Sequence, residues 1–242
     1  AERDTILEYL QAGGKLILIT GPLQDGTELT NLEAVMEYYG VTAADGIVVE
    51  GSDSNYLFPA PINLLPEYGS HEITSPLSEG GYYMCLPLAQ GLVVGEAPRD
   101  TVNVTELLTT SDSAYSKLSG YSMSTYEKED GDIDGPFALA VAITETLSDG
   151  GETGVIWVSS AYLLDDSTNA SISGGNEDFF LNCVNWLCGS ESGISIHAKS
   201  LDAEYLTISS GTSSLLTMLM VGVIPVCFLA AGIVIWVRRK KR

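Results

Sequence analysis

Apolar residues along the first 50 positions follow a helical period twice and a strand pattern twice. Residues 2–11 and 32–40 place apolar side chains on one helical face, and glycine stops each helix. Residues 15–20 (KLILIT) and 46–50 (GIVVE) are continuous apolar runs of strand length, which is typical of strands buried on both faces. Helix, strand, helix and strand at this spacing predict an α/β fold with a parallel sheet.

The same alternation returns after a long irregular middle. Residues 137–144 (FALAVAIT) and 153–160 (TGVIWVSS) predict two strands joined by an acidic glycine turn, and residues 176–188 predict a helix that ends at Gly189. Residues 51–135 are rich in Ser, Gly, Pro and Tyr and contain short β-prone segments. They predict either an irregular, β-rich elaboration of the sheet or an antiparallel lobe attached to it.

The longest apolar segment lies near the C-terminus. Residues 215–237 are 23 positions without a charged side chain, of which the first is Leu215 and the last is Val237. A helix of this length covers the roughly 30 Å hydrocarbon core of a bilayer, at ~1.5 Å rise per residue. Pro225 is compatible with such a helix because neighbouring groups satisfy the carbonyl that it frees. We therefore expect one membrane-spanning helix in the lipid bilayer.

A basic tail sets the expected orientation. Residues 238–242 begin with Arg238 and Arg239 and are all basic, and short basic flanks remain on the cytoplasmic side of a membrane. We expect a cell-membrane protein with a cytoplasmic C-terminal tail, whose residues 1–192 form an exported α/β domain. Residues 193–214 would add a short strand and a juxtamembrane neck.

The remainder of the chain is strongly acidic. The sequence holds 11 basic and 32 acidic residues, and the five terminal basic residues leave only 6 basic residues before them. A nucleic-acid partner is excluded, since phosphate binding needs clustered Lys and Arg. Repulsion from anionic headgroups is also expected to hold the exported domain off the lipid surface, apart from its tether.

Side chains suited to catalysis are few. The two histidines are His71, in a loop, and His197, near the neck. A pair formed by Cys85 and His71 is conceivable, but no G-x-S-x-G elbow surrounds this cysteine. We therefore predict no catalytic residue. All the cysteines are interpreted as small buried hydrophobic residues: Cys85, Cys183, Cys188 and Cys227.

Two further segments match part of a known ligand-binding motif but lack the rest of it. Residues 130–135 (DGDIDG) match the first half of a calcium loop, yet Val141 stands where a bidentate Glu is needed. A solvated acidic loop is favoured, with weak divalent-ion binding as the alternative. Residues 21–26 (GPLQDG) follow a strand at the edge where α/β proteins bind ligands, but they lack the glycine spacing for a dinucleotide. No metal or cofactor site is predicted.

Three segments occur in order before the membrane helix: GPFALAVAI (135–143), GNEDFFLNCVNWLCG (175–189) and ISIHAKSLDAEYLTIS (194–209). Together they resemble the auxiliary component of gliding-motility-type (GldG-like) ABC transport systems, and the resemblance covers essentially all 242 residues. The most specific part is a G-N-x-D-F-x-L-N-x-x-N-W-L pattern. It is filled by Gly175, Asn176, Asp178, Phe179, Leu181, Asn182, Asn185, Trp186 and Leu187.

This resemblance implies an exported domain of the class I glutamine-amidotransferase type without its catalytic residues. It implies a second membrane helix before Ala1, and an ABC permease and an ATP-binding subunit as partners. The expected function is a non-enzymatic accessory component that binds a substrate or partner outside the cytoplasm. The alternatives are an exported hydrolase or amidotransferase-like enzyme and an adhesion or structural ectodomain. In one departure, residues 159–162 (SSAY) replace the acidic turn that the family usually carries.

We interpret the motif mainly as architectural, with a ligand site as the alternative. Asn176 and Asp178 favour a helix N-terminus, while Asn182 and Asn185 are expected to tie the helix to neighbouring loops. Trp186 is expected in the core. The stripe expected to pack on the sheet is Phe180, Val184 and Leu187.

Overall fold

The computed structural model describes residues 2–23, 27, 29–189 and 209–240. Its α-helices are α1 (Glu2–Gln11), α2 (Thr30–Glu37), α3 (Ser75–Gly80), α4 (Asp166–Ser171), α5 (Gly175–Leu187), α6 (Ser210–Thr217) and α7 (Ile224–Lys240). The strands are β1 (Lys15–Ile19), β2 (Val41–Ala43), β3 (Ile47–Val49), β4 (Asn63–Leu64), β5 (Glu67–Tyr68), β6 (Leu86–Pro87), β7 (Leu92–Val94), β8 (Val102–Thr109), β9 (Tyr115–Lys117), β10 (Ile133–Asp134), β11 (Ala138–Thr146) and β12 (Glu152–Val158). The two strands and the helix predicted after residue 136 are confirmed as β11, β12 and α5.

A seven-stranded mixed sheet forms the centre of the domain. The order runs β1-β12-β11, after which β11 pairs with β8 along its length and with β7 at Ala138. β5 pairs with β8, and β2 pairs with β7. Among the described strands, β1 and β12 are the one parallel pair, and every other pairing is antiparallel. The prediction of an α/β fold is confirmed, but the expected parallel sheet reduces to that pair.

Two of the predicted strands, β1 and β3, differ from expectation in their burial or in their pairing. β1 is an edge strand and all five of its residues are half-buried, so it is not covered as a central parallel strand would be. β3 is fully buried but pairs with β9 in a separate three-stranded sheet. The apolar run at residues 46–50 correctly predicts a buried strand. It contains nothing that specifies which strand will pair with it.

Helices cover both faces of the central sheet. On one face, Leu10 of α1 and Met36 of α2 pack with Val141, Val155 and Trp157 of the sheet. On the other face, α3 and α5 pack on alternate residues of the same strands. The alternation along β11 and β12 divides the apolar residues between two cores. The result is a three-layer α/β/α domain.

Helix α5 packs on the sheet through a stripe offset from the predicted one. Phe179 and Cys183 are fully buried, whereas Phe180 and Leu187 are partly buried at the margin of the same core. Trp186 is also only partly buried, which corrects the expectation of a core position. The four cysteines are free. Two of them, Cys188 and Cys227, are exposed, in contrast to their interpretation as buried residues; Cys85 and Cys183 are buried as expected.

The C-terminal helix is long and apolar enough to cross a membrane. Among the described residues it is the one such helix, running over Gly211–Lys240, and it is unburied by the rest of the chain. Residues Met218–Val223 form a π-helical turn directly before Pro225. A proline ring clashes with the carbonyl four residues earlier and removes one N–H donor, so a wider turn at this point relieves the clash. The helix continues through Pro225 to Lys240.

Some predictions fall on residues outside the described part of the chain. They are the strand at 194–198, His197, most of the neck at 193–214 and the last two basic residues. The boundary placed after residue 192 stays a prediction for the same reason.

The two aromatic residues of α5 provide a matched pair for a stability test. Phe179→Ala empties a fully buried site and is expected to lower the free energy of unfolding by about 3–5 kcal/mol. Trp186→Ala removes a half-buried ring and is expected to cost about 1–2 kcal/mol. Urea unfolding of the detergent-solubilised chain measures both. Equal losses would contradict the packing described for α5.

Candidate functional site

The first residues of the α5 pattern face the interior, where Asn176 makes a two-way contact with a distant segment. Asn176 is fully buried. Its Oδ1 accepts from the Cys85 amide at 3.1 Å, and its Nδ2 donates to the Cys85 carbonyl at 2.7 Å. The side-chain amide therefore pairs with both backbone groups of Cys85, as a neighbouring strand would. The N-cap position belongs to Gly174, so the predicted capping role of Asn176 is wrong.

Gly175 is required by the same close approach. A Cβ built on it would overlap the carbonyl oxygen of Tyr83, two residues before Cys85. A side chain here would push α5 away from this segment and break the Asn176 contact. Phe179 lies one turn further along and fills the core beneath. The first residues of the pattern thus join α5 to the chain around residue 85.

A second contact joins the C-terminal half of α5 to the loop before α3. Asn182 donates from Nδ2 to the Ile73 carbonyl at 3.0 Å, so its predicted role as a tie to a neighbouring loop is confirmed. The His71 ring meets the Trp186 ring edge-on, with centroids 5.4 Å apart, and its Nδ1 accepts from the Ile73 amide at 3.2 Å. Asn185 is half-buried on the same helix. These contacts hold the C-terminal half of α5 against the loop before α3.

The reactive side chains considered from the sequence are engaged in the same packing. Burial raises the pKa of the Cys85 thiol to about 12, so the thiolate needed for nucleophilic attack is scarce near neutral pH. Burial also lowers the pKa of His71, an effect that the nearby Glu72 carboxylate opposes only in part. The Nδ1 lone pair of His71 already accepts a backbone hydrogen bond. Both side chains are thus engaged in packing or hydrogen bonds around α5.

The carboxyl ends of β1 and β12 form an edge with a narrow crevice. Thr20, Met36, Gln90 and Trp157 line a cavity of about 10 Å³, which is the size of one water molecule. The Trp157 indole donates to the Thr20 hydroxyl at 2.8 Å and closes one side. The crevice in this conformation admits a water-sized molecule.

Two buried serines occupy the turn in which the resemblance expects an acidic residue. Ser159 and Ser160 are fully buried. The Ser159 hydroxyl donates to the Leu139 carbonyl at 3.0 Å, and that of Ser160 donates to the Pro87 carbonyl at 2.6 Å. Both hydroxyls therefore fasten the end of β12 to neighbouring strands.

Exposed tyrosines flank this edge. Tyr121 and Tyr162 are 49% and 42% exposed, and the Tyr121 hydroxyl donates to the Pro22 carbonyl at 3.1 Å. Burial and, to a smaller extent, Tyr162 raise the pKa of Tyr121. We call this pair the tyrosine surface. Tyrosine supplies a large contact area at low entropic cost and is enriched at binding interfaces.

The acidic loop at residues 130–135 is exposed at most positions, as predicted, but Asp132 turns inward toward a lysine. Lys117 is fully buried, and its Nζ contacts the Glu127 carbonyl at 2.6 Å, Glu129 at 2.8 Å and Asp132 at 3.3 Å. The Asp132 side chain is only 5% exposed and also accepts from the Leu118 amide at 3.1 Å. Asp134 pairs with Lys128. An ammonium group thus occupies the centre of the loop.

The sequence did not lead us to predict this lysine cluster. The small number of basic residues is the signal that could have revealed it. Only six basic residues precede the terminal tail, and two of them, Arg99 and Lys117, pair with carboxylates that are at most 9% exposed. Arg99 binds Glu145 at 2.9 Å and lies 4.0 Å over the Tyr38 ring. Lys117 binds the acidic loop. Within the described residues there is no group of three or more His, Cys, Asp or Glu side chains suited to a metal ion.

The lysine cluster should make stability depend on pH at both extremes. Burial raises the pKa of Asp132, but the amides of Glu129 and Leu118 and the Lys117 ammonium lower it below its ordinary 3.8. Its contribution is therefore present above pH 3.8 and lost as the pH falls through the folded value. Burial lowers the pKa of Lys117, but Glu129 and Asp132 raise it above 10.5. This second contribution is present below pH 10.5 and lost at more alkaline pH.

The test compares melting temperatures of the wild type and of Lys117→Met between pH 2 and 12. The variant should melt lower than the wild type near neutral pH, because Asp132 keeps a buried charge without its ammonium. The gap should narrow in strong acid, where Asp132 is protonated. Lys128→Met is the control, since Lys128 is an exposed cation on the same loop. A gap that is constant with pH would contradict the cluster.

Comparison with known proteins bears on the fold. No protein-family model matches the sequence, and no curated protein matches it. Among solved structures, the chain is similar to the mmIFT52 N-terminal domain, with a TM-score of 0.52 and 18% sequence identity. The match covers 77% of this chain and 70% of that one. At this identity the similarity shows a shared fold and carries no function with it.

Proposed function

We propose that this protein is a non-enzymatic, membrane-anchored accessory component of an ABC transport system. Its α/β domain, of the glutamine-amidotransferase-like type, lies outside the cytoplasm and binds a substrate or partner there. Its C-terminal helix lies in the cell membrane beside a permease, which works with an ATP-binding subunit. The sequence basis is the resemblance carried by the pattern between Gly175 and Leu187.

The observation that carries this proposal is a membrane-length helix attached to a domain whose reactive groups are used structurally. The apolar helix spans Gly211–Lys240 and is unburied by the chain itself. In the domain, Cys85 is a buried thiol of raised pKa and His71 packs against Trp186. These features favour a domain that binds a substrate or partner over one that catalyses a covalent reaction. They do not support the alternative of an exported hydrolase.

Two surfaces are suited to partners. The tyrosine surface offers exposed aromatic rings at the edge of the sheet. In the membrane helix, Gly232 lies open in a groove lined by Phe228, Leu229, Ile233 and Trp236, and small residues allow close approach of a second helix. Gly222 lies within the π-helical turn Met218–Val223 and does not line this groove.

The proposed topology can be tested with cysteine labelling in intact cells. A Cys added after Arg242 should not react with a membrane-impermeant thiol reagent, because the basic tail is expected in the cytoplasm. The background for this variant is Cys188→Ala with Cys227→Ala, since these are the two exposed cysteines. Labelling after cell lysis shows that the added thiol is reactive.

The native Cys188 is the matched control for the opposite side. In the Cys227→Ala background, Cys188 is expected to react in intact cells, because it is exposed on the domain. The proposed orientation would be contradicted if the added C-terminal Cys reacted with the reagent in intact cells while Cys188 did not.

The proposed partners can be tested by purification at native expression in mild detergent. The tagged chain should recover a multi-spanning permease and its ATP-binding subunit. Gly232→Leu fills the groove and should lower recovery of the permease by about tenfold, a loss of about 1.4 kcal/mol. Val234→Leu is the control, since Val234 is exposed and lies ~200° around the helix from Gly232. The double variant Tyr121→Ser with Tyr162→Ser tests the contribution of the tyrosine surface.

Recovery of the chain as a single species, with permease genes intact, would contradict the accessory role. Hydrolase turnover that is abolished by Cys85→Ala or His71→Ala would favour the enzyme alternative instead.

A further inference from the structure

The first turn of the membrane helix is held against a loop of the α/β domain. The Gly211 amide donates to the Asp53 carbonyl at 2.8 Å. Ser209, one residue before α6, forms an antiparallel bridge with Leu57. An ideal Cβ at Gly211 would lie 3.5 Å from the Ser54 hydroxyl, an ordinary packing distance. The loop of residues 53–57 thus contacts both the first turn of the helix and the residue that precedes it.

This loop is the outer member of a series of hydrogen-bonded strands. The Leu57 amide donates to the Asn63 carbonyl at 2.8 Å, and Tyr56 bridges Leu64. β4 then pairs with β6 through Leu64 and Leu86. β6 follows Cys85, whose two backbone groups are bound by Asn176 of α5. We call the series from Ser209 through Leu57, Leu64 and Leu86 to Asn176 the ribbon.

Packing and cross-links stiffen the ribbon along its length. Leu65, Cys85 and Ile172 form a small buried core, with Leu57 packed against it. The Ser160 hydroxyl donates to the Pro87 carbonyl of β6 and fastens the ribbon to the end of β12. A segment that is hydrogen-bonded to strands on both sides and rests on a buried core opens only at a substantial cost in free energy.

We propose that the ribbon locks the membrane helix and the α/β domain into one rigid body, with Asn176 as the positioning residue at its inner end. A displacement of the helix by a partner in the membrane would then move α5 and the central sheet with it. A flexible tether would absorb the same displacement. The proposal rests on the contacts of the described residues and holds whichever partner occupies the membrane.

The chain supplies its own pair of labelling sites for the test. Cys188 at the end of α5 and Cys227 in the membrane helix are exposed, whereas Cys85 and Cys183 are buried. Spin labels on the exposed pair, in the full chain reconstituted in nanodiscs, report the distance between domain and helix. The wild type is expected to give one narrow distance. A broad distribution in the wild type would overturn the proposal.

Two substitutions at Gly211 separate the hydrogen bond from the packing. Gly211→Pro removes the N–H that binds Asp53, and proline is tolerated in the first turn of a helix. Gly211→Ala keeps the N–H and has room for its methyl group. The narrow distance should be lost in Gly211→Pro and kept in Gly211→Ala. An unchanged narrow distance in Gly211→Pro would overturn the role of this contact and, with it, the locked joint.

The inner end of the ribbon is tested by hydrogen exchange. Asn176→Ala should speed exchange of the Gly211 and Leu57 amides by about tenfold or more, as local opening becomes easier. Asn182→Ala is the control, because its contact with Ile73 lies outside the ribbon. If the alanine variant fails to fold, Asn176→Asp replaces it. The aspartate carboxylate cannot donate the hydrogen bond that Asn176 makes to the Cys85 carbonyl, so the contact is weakened with little change in side-chain size. Unchanged Gly211 exchange in a folded Asn176 variant would refute the positioning role.

Discussion

The arrangement of the domain depends on burying β11 completely on both faces. Seven of its nine residues are fully buried, and it pairs with β12 on one side and β8 on the other. Its side chains are small where α5 approaches, at Ala140 and Ala142, and larger where α1 and α2 pack, at Val141 and Ile143. Because β11 supplies both cores, a change in its register would exchange the two sets of side chains.

Local periodicity predicted most of the elements, because each depends on residues close together in sequence. It located α1, β1, α5, β11, β12 and the apolar helix. Pairing direction was less accessible, since the alternation of helices and strands favoured a parallel sheet. The short acidic turn between β11 and β12 is nevertheless a direct signal for antiparallel pairing, because parallel strands need a crossover of a dozen or more residues.

The candidate site was harder to read from sequence, because its contacts join distant segments. Asn176 occupies the first turn of a helix, where a capping role is the local expectation, yet its partner is Cys85. Lys117 and Asp132 are closer in sequence, but burial of the ammonium depends on a separate sheet formed with β3 and β10. Phe179 was assigned to the motif, while its neighbour Phe180 was assigned to the stripe. Adjacent residues point ~100° apart on a helix, so a rotation by one residue exchanges those two positions.

The π-helical turn before Pro225 has a consequence for comparing this span with other membrane helices. One extra residue in a turn rotates every later side chain by about 100° relative to an uninterrupted α-helix. Residues before Met218 and after Val223 therefore do not share one helical wheel. A homologous helix without the proline would need one residue fewer to present Phe228 and Trp236 in the same direction. Alignments of this span by hydrophobicity alone would misplace the face that points toward a neighbour.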